Sequence, residues 1–221
     1  MVSITKANSI LSMGEGFYTW LRKEGENSIQ LTKEAQESGT KLHHIIEQWI
    51  VKNRTPKDSR IWYLEQSDDI SLTEEEINKL QGFINFDEDF KPKYIATEIT
   101  VAIPEIQVAG TIDIVCEIEN KIYVVDIKTG SGLHHNNELQ IAFYQRAYQQ
   151  QVGIKVDGRV LLHLKADTRN KYNFKEIKKT LLHDYRAMLH AKELWMWDNP
   201  KWASFIKNRE PVSQAIEAQN A

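Results

Sequence analysis

The 221-residue sequence predicts a mixed α/β (α+β) fold, and three observations carry that prediction. Residues 94–127 are dominated by Val, Ile and Thr and punctuated by Pro104, Gly110 and Glu119-Asn120, the pattern of a strand meander. The flanking segments carry apolar residues at helical spacing: Leu42, Ile45, Ile46 and Trp49 before the meander, and Leu139, Ala142, Phe143 and Ala147 after it. A short apolar run, RVLLHLKA at 159–166, then reads as a further strand. Helices, a sheet, then helix and strand again define the class.

The elements follow in chain order. Residues 1–25 predict a short helical entry with Ile10, Leu11, Phe17, Trp20 and Leu21 as core contacts. A stronger helix spans about 30–52, and the stretch RTPKDSR at 54–60 interrupts the periodicity as a loop. Thr73 with Glu76 three residues on is a capping box, opening a helix toward Phe86. Three strands run from Tyr94 through Ile127. An amphipathic helix covers about 137–151, and the strand at 159–166 has a polar segment with Tyr172 and Phe174 as its candidate partner. A long helix from about Leu181 to Trp197 should stop at Asp198-Asn199-Pro200, and the tail after Arg209 is polar. No repeat or linker divides the chain. One domain over 1–221 is expected, with a helical part at 1–90, a sheet core at 91–180, a C-terminal helix at 181–208 and a tail at 209–221.

Composition narrows the class without naming a function. The chain is 41% hydrophobic and 27% charged, long enough to bury a core. No run approaches the roughly 20 apolar residues of a membrane span. The first residues lack the basic start and apolar core of a signal peptide. A single cysteine, Cys116, excludes an internal disulfide or a cluster held by four cysteines of this chain, so a cytoplasmic setting is expected. A net charge of −3 does not announce a nucleic-acid binder, yet local patches outweigh the sum. Residues 165–179, KADTRNKYNFKEIKK, form such a patch, readable as a solvated face or as a phosphate-tracking surface.

The stretch GTIDIVCEIENKIYVVDIKTG, residues 110–130, carries the chemistry. Asp113, Asp126 and Lys128 interrupt apolar runs that would otherwise be plain buried strand. A two-residue loop at Glu119-Asn120 would pair Ile118 with Lys121 and set Asp113 opposite Asp126, with Cβ atoms roughly 5 Å apart. A slip of one residue would send Asp113 to the other face. Two carboxylates that close repel each other, so a cation must offset them. Lys128 could do so as a structural ion-pair cluster, or a divalent metal ion could. Spacing alone leaves both open.

G-T-I-D at 110–113 with V-V-D-I-K-T-G at 124–130 resembles the core of the PD-(D/E)XK nucleases, and most closely their RecB-like exonuclease branch. GTKLH at 39–43 resembles that branch's G-x-x-x-H helix, LQIAFY at 139–144 its Q-x-x-x-Y helix, and Glu98 in ATEITVAI the acid on the preceding strand. ITKANSIL and FYTWLRKEG resemble phage members. Ile112 stands where the family name implies proline, as in many RecB-like members. The resemblance implies a restriction-endonuclease-like core, a central mixed sheet with an antiparallel meander flanked by helices. It also implies a Mg²⁺- or Mn²⁺-dependent DNA nuclease, and in that branch an exonuclease. His43, Asp113, Asp126 and the Ile127 carbonyl would hold the ion. Lys128 would serve the attacking water, Glu98 a second ion or Lys128, and Gln140 and Tyr144 the substrate strand. DNA is the expected partner; a homo-oligomer or a recombination partner protein stays open. The alternatives are an inactive nucleic-acid-binding or recombination accessory module of the same fold, and an interaction protein whose charged cluster is structural.

Overall fold

The computed structural model describes residues 1–11, 14–51, 71–166 and 172–202. The expected loop at 54–60 and the tail after Arg209 lie outside these residues. The described chain contains β1 (Val2–Ser3), α1 (Ile4–Ala7), a 3₁₀ turn (Asn8–Ile10), α2 (Glu15–Glu24), α3 (Asn27–Val51) and α4 (Glu74–Phe90). There follow β2 (Lys93–Ile103), β3 (Val108–Ile118), β4 (Lys121–Lys128), α5 (His135–Val152), β5 (Gly158–Leu164), β6 (Tyr172–Glu176) and α6 (Leu181–Asp198).

The strands form a mixed six-stranded sheet. β2, β3 and β4 make the expected antiparallel meander, and Ile118 pairs with Lys121 across the Glu119-Asn120 loop. Both loop residues have positive φ, 51° and 61°, the backbone of a tight hairpin whose twist matches its strands. β4 then runs parallel to β5, with α5 as the crossover, and β6 returns antiparallel to β5. Helices cover both faces. On one, Ile4, Ile141, Phe143, Tyr144, Met188 and Trp195 pack against Ile112, Val115, Val124 and Leu161. On the other, Leu42, Ile46, Trp49, Phe83 and Phe86 pack against Ile114, Val125, Ile127 and Leu162. Burial on both faces explains why β4 and β5 read as nearly unbroken apolar runs rather than alternating ones.

Thr73 caps α4 as expected, accepting the Glu76 N–H while Glu76 accepts the Thr73 N–H. Two expectations need correction. The entry segment contains a strand: β1 pairs parallel with β3, Val2 opposite Val108 and Ser3 opposite Ala109. Two residues are too few to show a period-two pattern. Phe17, Trp20 and Leu21 do not enter the core, because α2 has no buried residue. Phe17 and Trp20 stack on each other instead, 5.8 Å between centroids, beside an α3 whose first half is, apart from Ser28, largely exposed. Among the described residues, no helix is long and apolar enough to cross a membrane.

Candidate metal centre

The centre lies where β3 parts from its neighbour. β2 occupies one edge of β3 along most of its length. The other edge is taken by β4 only from Ile118 to Ile114, and by β1 only at Val108 and Ala109. Residues 110–113 fall between these two ladders. There the Asp113 carboxylate replaces a ladder partner, its Oδ2 accepting the Ile127 backbone N–H at 2.6 Å.

Three side chains converge on this gap. His43, Glu98 and Asp113 each offer a ligand atom within 4.8 Å of the other two. His43 Nδ1 stands 3.4 Å from Asp113 Oδ1 and 3.9 Å from Glu98 Oε1. His43 reaches the gap because Leu42, Ile45, Ile46 and Trp49 commit the other face of α3 to the core. Glu98 sits between the paired residues Thr97–Ile114 and Ile99–Ile112, which sets it opposite Asp113. Its φ of 47° is left-handed, a costly backbone for a glutamate and a common mark of functional sites. His43 and Glu98, with Gly39, Thr40, His44 and Glu47, line an open cleft of about 410 Å³.

Asp126 stands outside that trio, buried at 2% exposure. Lys128 Nζ approaches its Oδ2 to 2.8 Å, a close buried ion pair. Burial, then the Asp113 charge, push the Asp126 carboxyl up to about 6 against the pull of Lys128. Burial opposes the Lys128 charge, yet Asp126 and Asp113 outweigh it and hold the ammonium above its ordinary value. His43 behaves alike: burial works against the imidazolium, while Asp113, Asp126 and Glu98 raise it. Burial and Asp113 raise Glu98. Burial is thus the largest influence on each group; the neighbouring acids add to it at Asp126 and Glu98 and outweigh it at His43 and Lys128.

Gln140 and Tyr144 join the centre from α5. Lys128 Nζ donates to Gln140 Oε1 at 3.2 Å, and Gln140 Nε2 donates to the Tyr144 hydroxyl at 2.8 Å. The amide of Gln140 is therefore engaged at both ends within the protein. Burial, with Asp126 and Asp113 next, raises the Tyr144 hydroxyl far above its ordinary value, so it stays protonated. Gly110 makes room for this tyrosine: a Cβ there would lie 2.7 Å from Tyr144 Cε1 and 2.8 Å from Ile4 Cγ2.

Among the described residues of the basic stretch, three lysines are paired with acids. Lys175 and Lys179 each bind Glu138 at 2.8 Å, and Lys178 binds Glu176 at 2.7 Å; residues 167–171 lie outside the described chain. Sequence reasoning missed the left-handed Glu98 and the engagement of Gln140, for which residue type gives no signal.

The donors fit a divalent metal ion. Carboxylates suit hard cations such as Mg²⁺ and Mn²⁺, the imidazole adds a nitrogen that suits later first-row metals, and His43, Glu98 and Asp113 offer their ligand atoms within 4.8 Å of one another.

The mixed sheet, with helices on both faces, thus carries an acid and histidine cluster able to hold a metal ion at a strand gap. The family model of the PD-(D/E)XK nuclease superfamily matches residues 17–210, and the chain belongs to that superfamily. No curated protein matches it in sequence. Among solved structures, SSO0001 is similar at 13% identity and a TM-score of 0.44, over 89% of this chain and 75% of that one. A protein from Eubacterium rectale named "putative exonuclease" is similar at 13% identity and a TM-score of 0.47, over 95% of this chain and 82% of that one.

Proposed function

We propose that the protein is a Mg²⁺- or Mn²⁺-dependent deoxyribonuclease of the RecB-like, phage-type branch, acting as an exonuclease in DNA replication, recombination or repair. The observation that carries this reading is the convergence of His43, Glu98 and Asp113 on the gap beside the Asp126–Lys128 pair. The same reading takes residues 1–221 as one nuclease domain working in the cytoplasm on DNA.

His43, Asp113 and Asp126 would hold the ion, with the Ile127 carbonyl as a backbone donor and Glu98 as a further carboxylate. A divalent ion bound there would supply positive charge against the phosphate oxygens and favour deprotonation of an attacking water. Lys128, kept cationic by its two acidic neighbours, is placed to stabilise the negative charge that builds during in-line displacement. Gln140, itself bonded to Tyr144, holds the Lys128 ammonium in place, and both residues would border the strand's path.

The test is digestion of 5′- and 3′-labelled single- and double-stranded DNA, with a closed circle alongside, in Mg²⁺ or Mn²⁺. Asp126→Ala should abolish cleavage, and Lys128→Ala should slow it roughly 100- to 1,000-fold. Cleavage that survives both changes would remove this site from consideration, and cutting of the circle would exclude a strict exonuclease. A folded chain that binds DNA and never cuts it would be the accessory module instead.

A further inference from the structure

A buried histidine on β5 takes no part in the centre just described. His163 is 8% exposed, stands beside Lys128 in the parallel β4–β5 ladder, and places Nε2 2.7 Å from the Gly130 carbonyl oxygen. A carbonyl only accepts, so Nε2 carries the proton and donates it. On its other side the Thr129–Gly130 turn meets α3. A Cβ on residue 39 would lie 3.1 Å from Thr129 Oγ1, closer than ordinary van der Waals contact. Gly39 precedes His43 by one helical turn and shares its face of α3. The turn is therefore wedged between the strand residue His163 and the helix that carries His43, directly after Lys128.

Apolar packing of Leu42 and Ile46 holds α3 on the sheet, but it does not fix a ligand to the roughly 0.5 Å that a metal site demands. A turn pinned by a hydrogen bond, whose Thr129 hydroxyl leaves no room for a side chain at residue 39, limits how closely the helix can approach. We propose that His163, the Thr129–Gly130 turn and Gly39 form a strut that sets the spacing between His43 and the Asp126–Lys128 strand, with His163 a positioning residue for the metal centre. The proposal rests on the metal-site reading above.

Mn²⁺ titration of the full chain, followed by calorimetry, tests it, with melting in EDTA reporting folding separately. His163→Phe keeps a ring and loses the donor, and should weaken Mn²⁺ binding about tenfold. His163→Gln, which restores an amide N–H, should recover most of that loss. Gly39→Ala should weaken Mn²⁺ as well, and adding Thr129→Ala should relieve it, because the oxygen that the new methyl meets is gone. This second pair tests the strut even if His163→Phe fails to fold. Mn²⁺ affinity unchanged in His163→Phe, or a Gly39→Ala effect equal with and without Thr129→Ala, would overturn the strut while Asp126→Ala still lost Mn²⁺. If Asp126→Ala bound Mn²⁺ as the wild type does, the metal-site reading would fall and the strut with it.

Discussion

At Glu98 the backbone and the side chain pull in opposite directions. A left-handed φ costs an L-residue roughly 1–2 kcal/mol, and the carboxylate it presents faces Asp113, whose charge adds to burial in raising it. Both costs vanish in Glu98→Gly, since glycine adopts positive φ freely. That substitution should raise the melting temperature in EDTA, by about 2–4 °C for each kcal/mol recovered, while weakening Mn²⁺ binding. A lower melting temperature in a thermal scan would show that Glu98 is structural. Asp113, Asp126 and Lys128 were readable in the sequence because each breaks an apolar run and cannot be an ordinary core residue. The left-handed turn was not readable, because glutamate has no preference for that backbone and only the neighbouring strands impose it. The same holds for Gln140, whose spacing to Tyr144 was visible but whose two bonded ends were not.

Between elements, the clearest tie is Glu138 at the start of α5, held by Lys175 on β6 and by Lys179 just beyond it. Burial alone would raise this carboxyl, yet the two ammonium groups lower it from 4.5 to about 2. A folded value below the unfolded one means the tie stabilises fully above pH 4.5 and is lost as pH falls toward 2. Both lysines are about half exposed, so solvent screening leaves on the order of 1–2 kcal/mol. Glu138→Gln should therefore be less stable than wild type at pH 7, with the gap closing as urea denaturation is repeated from pH 5 downward; a gap independent of pH would refute the tie. Elements announced by local chemistry were legible at this scale. Thr73 and Glu76 specify a helix start through two bonds within four residues, and Glu119-Asn120 specifies the hairpin register. β1 and α2 were not. β1 exists only because β3 has a free edge more than a hundred residues away, and the apolar residues of α2 repeat at helical spacing although no sheet surface receives them.

For the molecule as a whole, stability and function meet in the strand gap. Clustered Glu98, Asp113 and Asp126 leave the folded chain with excess negative charge in one place, and a ligand that binds only the folded state stabilises it by mass action. Mn²⁺ at about one hundred times its dissociation constant should add about 2.7 kcal/mol, seen as a higher melting temperature that EDTA reverses. His43→Ala should abolish most of that rise, and an equal rise in the variant would place the ion elsewhere.

The free edge of β3 at residues 110–113 has one more consequence, and it concerns self-association. Unpaired strand edges invite another chain to add on, and proteins blunt them with inward-facing charge or by covering them. Here Tyr144 and Ile4 cover Gly110, and Asp113 caps the far end by taking the Ile127 N–H. Asp113 thus guards the edge as well as facing His43. Asp113→Val would turn these four positions into a short apolar template, and light scattering of the purified variant should report aggregation that Asp113→Asn, equally unable to carry the charge but still polar, does not show.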